Sequence, residues 1–499
     1  MNEDKRTVST DKGSDAEQLR ALGYTQRFDR TMSFWQNFAL GFTYLSPVVG
    51  VYSIFAYGLA TGGPPMVWAY LLAGMGQMLV CLVFGEVVSQ FPIAGGVYPW
   101  GRRLVGKKWA WIVGWIYGWA LFTTIAGSAV GAGPFLTALL GIDPSPEVNA
   151  VTALVLVLIA TVLNLAGTKL LARVAMFGFV CELVGAIYVG THVLLFHRYH
   201  SLGIIFDTYG IGHGGSYLPA FLAASLVGAF TCYGFEACGD LAEETENAGT
   251  AIPRSMRVTI YIGVGASVFV AVALLLAVPD IGAVIAGKDT NPLITVLRSA
   301  FGPIGSRLVV AVVMVSFLSC LLSLQAAVSR LIYAYARDKM IVGSEVLGRL
   351  SPSTHVPTAA LMVAGAVPAM IVCLGYFMEN AVTTIIGFAT GGIYIAFQMI
   401  VAGALFARVR GWQPNGRFAL GRWGYVVNIA ALVYGVSVIV NILWPRVESG
   451  IWYLHYSMLL TAAFIIICGL VYLTAGRPYD KGLSPAGDAW ELAPTKIAS

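Results

Sequence analysis

The chain has 499 residues, of which 58% are hydrophobic and only 11% charged, with a net charge of +5. A soluble domain carries about 25% charged residues, so this composition cannot coat a water-soluble globule, and lipid is the solvent it fits. The small positive excess reports topology and contact with anionic lipid, and it argues against nucleic acid as a partner.

The first 32 residues hold Lys5, Arg6, Lys12, Arg20, Arg27 and Arg30 among acids, with no apolar core. They read as a cytoplasmic tail and not as a signal peptide. A hydrocarbon core of about 30 Å needs about 20 helical residues. Apolar runs between charge clusters predict twelve spans: 34–60, 65–89, 110–140, 148–166, 174–196, 217–242, 256–279, 305–330, 357–376, 381–406, 425–444 and 450–474. The runs are long and do not alternate, so helices are predicted and strands are not. Of the 30 Lys and Arg residues, 25 fall in the tails and the even-numbered connections, and five (Arg198, Lys288, Arg298, Arg307, Arg446) in the others. That bias predicts both termini inside, the Arg102–Lys108 loop inside, and the loops after Gly141 and around Lys288 outside. The seven cysteines all lie in apolar runs without metal-ligand spacing, which predicts free thiols.

Two spans are not plain apolar runs. Span 1 contains Ser46-Pro47-Val48-Val49-Gly50. Pro47 removes a backbone donor and disfavours helical geometry at Ser46, and Gly50 permits unwinding. Ser46 lies roughly 18 Å into the span at 1.5 Å per residue. Span 6 contains Cys232-Tyr233-Gly234-Phe235-Glu236, followed by Gly239 and Asp240. Unwound backbone at that depth is tolerated only against protein or a water-filled cavity. Each broken span comes first in a five-helix half, spans 1–5 and 6–10, the pattern of an inverted repeat with a midplane substrate site. The bland alternative is a kink at Pro47 and close packing at Gly234. The predicted organisation is a tail over 1–32 and a ten-helix core over 33–406, with repeats of about 33–200 and 217–406. Helices 11 and 12 follow over 407–475, then a cytoplasmic C-terminal tail over 476–499.

Several segments together resemble one superfamily, the amino acid–polyamine–organocation permeases. They are Pro92-Ile93-Ala94-Gly95-Gly96-Val97-Tyr98, then Gly234-Phe235-Glu236 with Ala242-Glu243-Glu244-Thr245-Glu246-Asn247 and Ile252-Pro253-Arg254, and Ser329-Arg330 with Tyr333-Ala334 and Ala336-Arg337-Asp338. Leu22-Gly23-Tyr24, Gly62-Gly63-Pro64, and Leu420-Gly421-Arg422-Trp423-Gly424 with Asn428 look like the amino acid/choline permease branch. The likeness runs from about residue 20 to 475. It implies an all-α integral membrane protein of the leucine-transporter type, five plus five helices with two more, and an amino acid, amine or choline-like substrate. The chain departs from that pattern at Ala248, where a proline is usual, and at Ser46–Gly50, where a Gly-Ser-Gly-like run normally offers N–H groups to a substrate carboxylate. The second departure leaves room for an amine without a carboxylate.

The candidate substrate site comprises Ser46, Gly50, Phe230, Cys232, Tyr233, Gly234 and Glu236. Exposed N–H groups at a half-helix start attract a carboxylate, and free carbonyls at a half-helix end attract an ammonium. Phe230, counted back from Gly234-Phe235-Glu236, corresponds to an aromatic that stacks on substrate in relatives; an aromatic face holds an ammonium by roughly 0.5–2 kcal/mol. Its alternative is ordinary packing. Glu182 lies nine residues beyond Arg173, roughly 13 Å deep at 1.5 Å per residue. In some relatives a lysine at that point of span 5 fills the place of a sodium ion. A buried carboxylate costs several kcal/mol unless protonated or paired, so Glu182 carries a coupling proton or cation, or a fixed hydrogen bond; Glu236 has the same alternatives. Ser316, Ser319, Cys320 and Ser323 form a polar stripe on span 8, with Ser319 and Ser323 as candidates for ion coupling and back-bonding to their own helix as the alternative. Gly114, Gly118, Gly127 and Gly131 read as helix-packing positions.

A haem protein needs inward, paired histidines. Of six histidines only His192 is within a span and His455 near an end, while His197, His200, His213 and His355 are in loops. No motif calls for a cofactor or metal, and no nucleophile–base constellation suggests a membrane hydrolase. The predicted function is a secondary transporter of a small amino acid or amine in the cell membrane, proton-coupled or exchanging. The competing class is a nutrient sensor on a transporter fold, which binds solute without moving it.

Overall fold

The computed structural model describes residues 10–212, 215–377, 381–446, 452, 456–481 and 484–491. His213, His455 and the predicted first residues of span 12 lie outside them, as do the outermost residues of both tails. Among the described residues there is no strand; one isolated parallel bridge joins Met32 to Thr245. Among the described residues, eleven helices are long and apolar enough to cross a membrane. Span 6, broken into short pieces, makes about twelve crossings.

The spans follow the apolar runs closely. Span 1 is Phe34–Leu45 plus Pro47–Gly62, started by a capping box in which Ser33 and Gln36 satisfy each other's backbone N–H groups. Span 2 is Val67–Gln90, span 4 Pro146–Leu165 and span 5 Thr168–Phe196. Span 3 is Lys107–Gly131, continued by a short helix Gly133–Leu140. Its interruption at Ala132 was not foreseen; Pro134 cannot donate to the preceding turn. Span 6 is Leu218–Ala224, Leu226–Thr231 and, after the break, Ala237–Asp240. Spans 7, 9, 10, 11 and 12 are Ala248–Ala277, Thr358–Gly375, Ala381–Val409, Gly424–Leu443 and Ser457–Gly476. Span 8 belongs to Pro292–Arg337, which Gly302, at a positive φ of 66°, divides into an outer helix and the crossing proper.

Span 1 is almost wholly enclosed, whereas spans 11 and 12 expose most of their surface. Their outward residues, such as Val440 and Phe464, are apolar, as a lipid-facing surface requires. The span 3 glycines sit at close approaches: a side chain at Gly114 would meet Tyr335, and one at Gly131 would meet Ser53.

Both tails are more than solvated extensions. Residues 10–21 form a helix, and Leu19, Leu22, Tyr24, Phe28 and Met32 are buried against the bundle. On the same face Arg330 makes a two-bonded pair with Glu244, at 2.7 and 3.0 Å, both side chains enclosed. Arg337 pairs with Glu243 at 2.6 Å. Asp338 accepts hydrogen bonds from Tyr24, Tyr98 and, from the C-terminal segment, Ser484. That segment also runs along Arg102 and Arg103, with Arg103 paired to Asp488 at 2.6 Å. The superfamily-like motifs of the loops thus converge in one polar layer that closes the tail face.

Candidate substrate site at two interrupted helices

The helix of span 1 stops at a single residue. Ser46 has φ 43° and ψ 90°, outside helical space, and is at once the last cap of Phe34–Leu45 and the first cap of Pro47–Gly62. Such a conformation in a non-glycine residue costs about 1–3 kcal/mol and persists only where surroundings enforce it. Here they do. The Ser46 hydroxyl accepts from the Val49 N–H (3.1 Å) and donates to Glu182 Oε1 (2.7 Å). The same Glu182 oxygen accepts the Val48 N–H at 2.9 Å. Glu182, fully enclosed, therefore caps the second half-helix from span 5, at the positive end of the helix dipole. Its other oxygen, Oε2, has no hydrogen-bond partner among the described residues.

Gly50 departs from the sequence expectation. It is helical, inside Pro47–Gly62, and does not unwind the chain. Its value is contact: a Cβ there would lie 2.5 Å from Thr231 Cγ2 of span 6. The unwound residue is Ser46 alone, because Pro47, at the first helical position, needs no N–H partner.

The span 6 break is built differently. Gly234 has φ +113°, and its N–H donates to Glu236 Oε2 at 2.9 Å. A Cβ on Gly234 would stand 2.6 Å from the backbone nitrogen of Leu45 and 2.8 Å from its Cα. The two breaks thus touch, backbone to backbone, and only glycine allows that approach. Glu236 Oε1 and Asp240 Oδ2 both accept from the Tyr117 hydroxyl of span 3, each at 3.2 Å, while Asp240 Oδ1 has no partner among the described residues. Tyr117 and Asp240 were not among the predicted site residues. Asp240 was legible as a buried acid, whereas Tyr117 carried no signal in a span rich in aromatics.

Phe230 and Tyr233 lie edge to face with centroids 6.1 Å apart, and Tyr233 meets Tyr44 of span 1 at 6.4 Å. Cys232 points elsewhere: its thiol donates to the Tyr70 carbonyl of span 2 at 3.4 Å, an anchor for the break. On span 8, Ser319 bonds to the carbonyls of Val315 and Ser316, the back-bonding arrangement. Ser323 and Thr43 of span 1 share a hydrogen bond of 2.8 Å, and the Cys320 thiol donates to the Tyr44 carbonyl. The stripe therefore faces the end of the first half-helix. A crevice of about 160 Å³ between spans 1, 5 and 8, lined by Val48, Tyr52, Val313 and Ser316, reaches Glu182, its one carboxylate.

Comparison with known proteins agrees with this architecture. The chain is 27% identical to the amino-acid permease BAT1 homolog of Oryza sativa subsp. japonica, over 93% of this chain and 94% of that one. It is 25% identical to the amino-acid permease BAT1 of Arabidopsis thaliana, covering 93% and 95% of the two chains. Amino-acid permease 2 of Neurospora crassa is 24% identical, over 95% and 90%. The model of the amino acid permease family matches residues 32–476, from the bridge before span 1 to the end of span 12. A match of that extent makes this chain a membrane transporter and not an enzyme, and it belongs to the amino acid permease family within the amino acid–polyamine–organocation superfamily.

Proposed function

We propose that the protein is a secondary active transporter that moves a small amino acid or amine across the cell membrane by alternating access. The observation that carries this reading is the direct contact of two helix breaks, at Leu45–Ser46 and Gly234. Half-helix ends meeting inside a bundle present carbonyls and dipoles to a small polar solute, and nothing in a purely structural bundle requires them. Ser46, Phe230, Tyr233, Gly234 and Glu236 surround the solute. The relatives' names support an amino acid-type substrate. Repeats over about 33–200 and 217–406 rock against each other, and the Arg330–Glu244 layer is the gate of one face.

Glu182, with Ser319 and Ser323, forms the ion-coupling site: a carboxylate that bridges spans 1 and 5 can hold the half-helix when charged and loosen it when protonated. Both termini lie in the cytoplasm, following the lysine and arginine bias. Labelling of single cysteines with an impermeant reagent tests the orientation; modification of the Arg102–Lys108 loop from outside contradicts it. Flux of labelled amino acids and amines into liposomes bearing the purified protein tests the function. Binding without flux identifies a sensor instead.

A further inference from the structure

The span 1 break has spent its hydrogen-bond donors on the protein itself. Pro47 has no N–H. The Val48 N–H goes to Glu182, the Val49 N–H to the Ser46 hydroxyl and the Gly50 N–H to the Ser46 carbonyl. The Ser46 hydroxyl donates to Glu182, and its N–H to Phe42 O. No donor at this half-helix start is left for an incoming carboxylate. In addition, the end of the helix dipole that would attract one already holds the carboxylate of Glu182.

Acceptors are in surplus. An unbroken helix would pair the carbonyls of Thr43 and Leu45 with the N–H groups of residues 47 and 49, and here neither is served that way. The Phe230 carbonyl loses its partner likewise, since the Gly234 N–H turns to Glu236. One carboxylate oxygen beside the span 1 break, Glu182 Oε2, is enclosed and without a partner among the described residues, as are the hydroxyls of Tyr44 and Tyr233. Gly234 stands against Leu45, so the carbonyl ends of both half-helices share one place. Carbonyls released from helix pairing, a carboxylate oxygen and hydroxyls beside the Tyr44 and Tyr233 rings make a site for an ammonium group.

Building on the transporter reading, we infer that the substrate is an amine with no carboxylate on the carbon bearing the nitrogen, held by its ammonium, with Glu182 seated where an α-carboxylate would bind. An α-amino acid brings a carboxylate that finds no backbone donor at the half-helix start and meets the Glu182 carboxyl group already seated there. A decarboxylated amine, or one whose carboxylate lies at the far end of the molecule, meets neither obstacle.

Pairs that differ only by the α-carboxylate test this: serine against ethanolamine, lysine against cadaverine, and glutamate against γ-aminobutyrate. Binding to the purified full-length protein is read from ligand-dependent thermal stabilisation over a concentration series. For whichever pair binds, the decarboxylated member binds about tenfold tighter or more. Equal or tighter binding of the α-amino acid overturns the inference while leaving the transporter reading intact. If no member of any pair binds or is taken up, the transporter reading itself fails and the inference falls with it. Glu182→Ala opens the Val48 N–H and shifts preference toward the α-amino acid, and an unchanged ratio overturns the assignment to Glu182. Should that variant not fold, the wild-type pairs still decide.

Discussion

The contact between the two breaks makes a graded prediction about glycine. Gly234→Ala adds one methyl group, yet its Cβ would lie 2.6 Å from Leu45 N and 2.8 Å from Leu45 Cα. These are backbone atoms and cannot rotate aside. The residue also sits at φ +113°, a region that costs a non-glycine residue about 1–3 kcal/mol. Overpacking a tight contact adds about 1–3 kcal/mol, so the total is about 2–6 kcal/mol. Gly50→Ala has normal backbone angles and meets only the Thr231 side chain, whose β-branch limits its escape. Its cost is about 1–3 kcal/mol. Gly265→Ala, in span 7, meets nothing within 4 Å and is the control, neutral or slightly stabilising. Thermal unfolding of the purified variants and uptake into liposomes are therefore ordered Gly265→Ala, Gly50→Ala, Gly234→Ala, with the last inserting into membrane but transporting little. A Gly234→Ala protein that matches Gly265→Ala in both assays would refute the contact between breaks.

Glu182→Gln keeps the shape of the cap but cannot ionise. It loses uphill accumulation and the pH dependence of uptake, while solute exchange suffers less; accumulation with a wild-type pH profile would make Glu182 purely structural. Phe230→Ala weakens substrate binding by about 1–2 kcal/mol, roughly 5–30-fold, and Phe230→Trp does less harm. Unchanged apparent affinity in both removes Phe230 from the site. Arg330→Met leaves Glu244 enclosed without its cationic partner, a loss of about 3–5 kcal/mol. The double variant Arg330→Met/Glu244→Met recovers part of it, visible as a higher unfolding midpoint than the single variant; equal midpoints would mean that the pair does not carry the tail-face layer.

Much of this protein was legible along the chain, because the bilayer acts on local sequence. A span must be about 20 apolar residues long and must satisfy its own backbone, so the run from Pro146 to Leu165, or from Thr358 to Gly375, announces itself without reference to any neighbour. The breaks were legible for the same reason: Pro47 and Gly234 act on their own backbone first. What those breaks do was decided between helices. The sequence places Glu182 at depth but cannot say that it reaches across from span 5 to cap residues 46–48, some 135 positions earlier. Gly50 reads as a point of unwinding and proves to be a point of contact, since the same small residue serves both and only its neighbour, Thr231, distinguishes them. The docked tails and the pairing of Glu236 with Asp240 through Tyr117 belong to this second kind. Hydrogen bonds and close approaches depend on which faces the packed bundle brings together, and hydropathy along one helix carries no record of its partner.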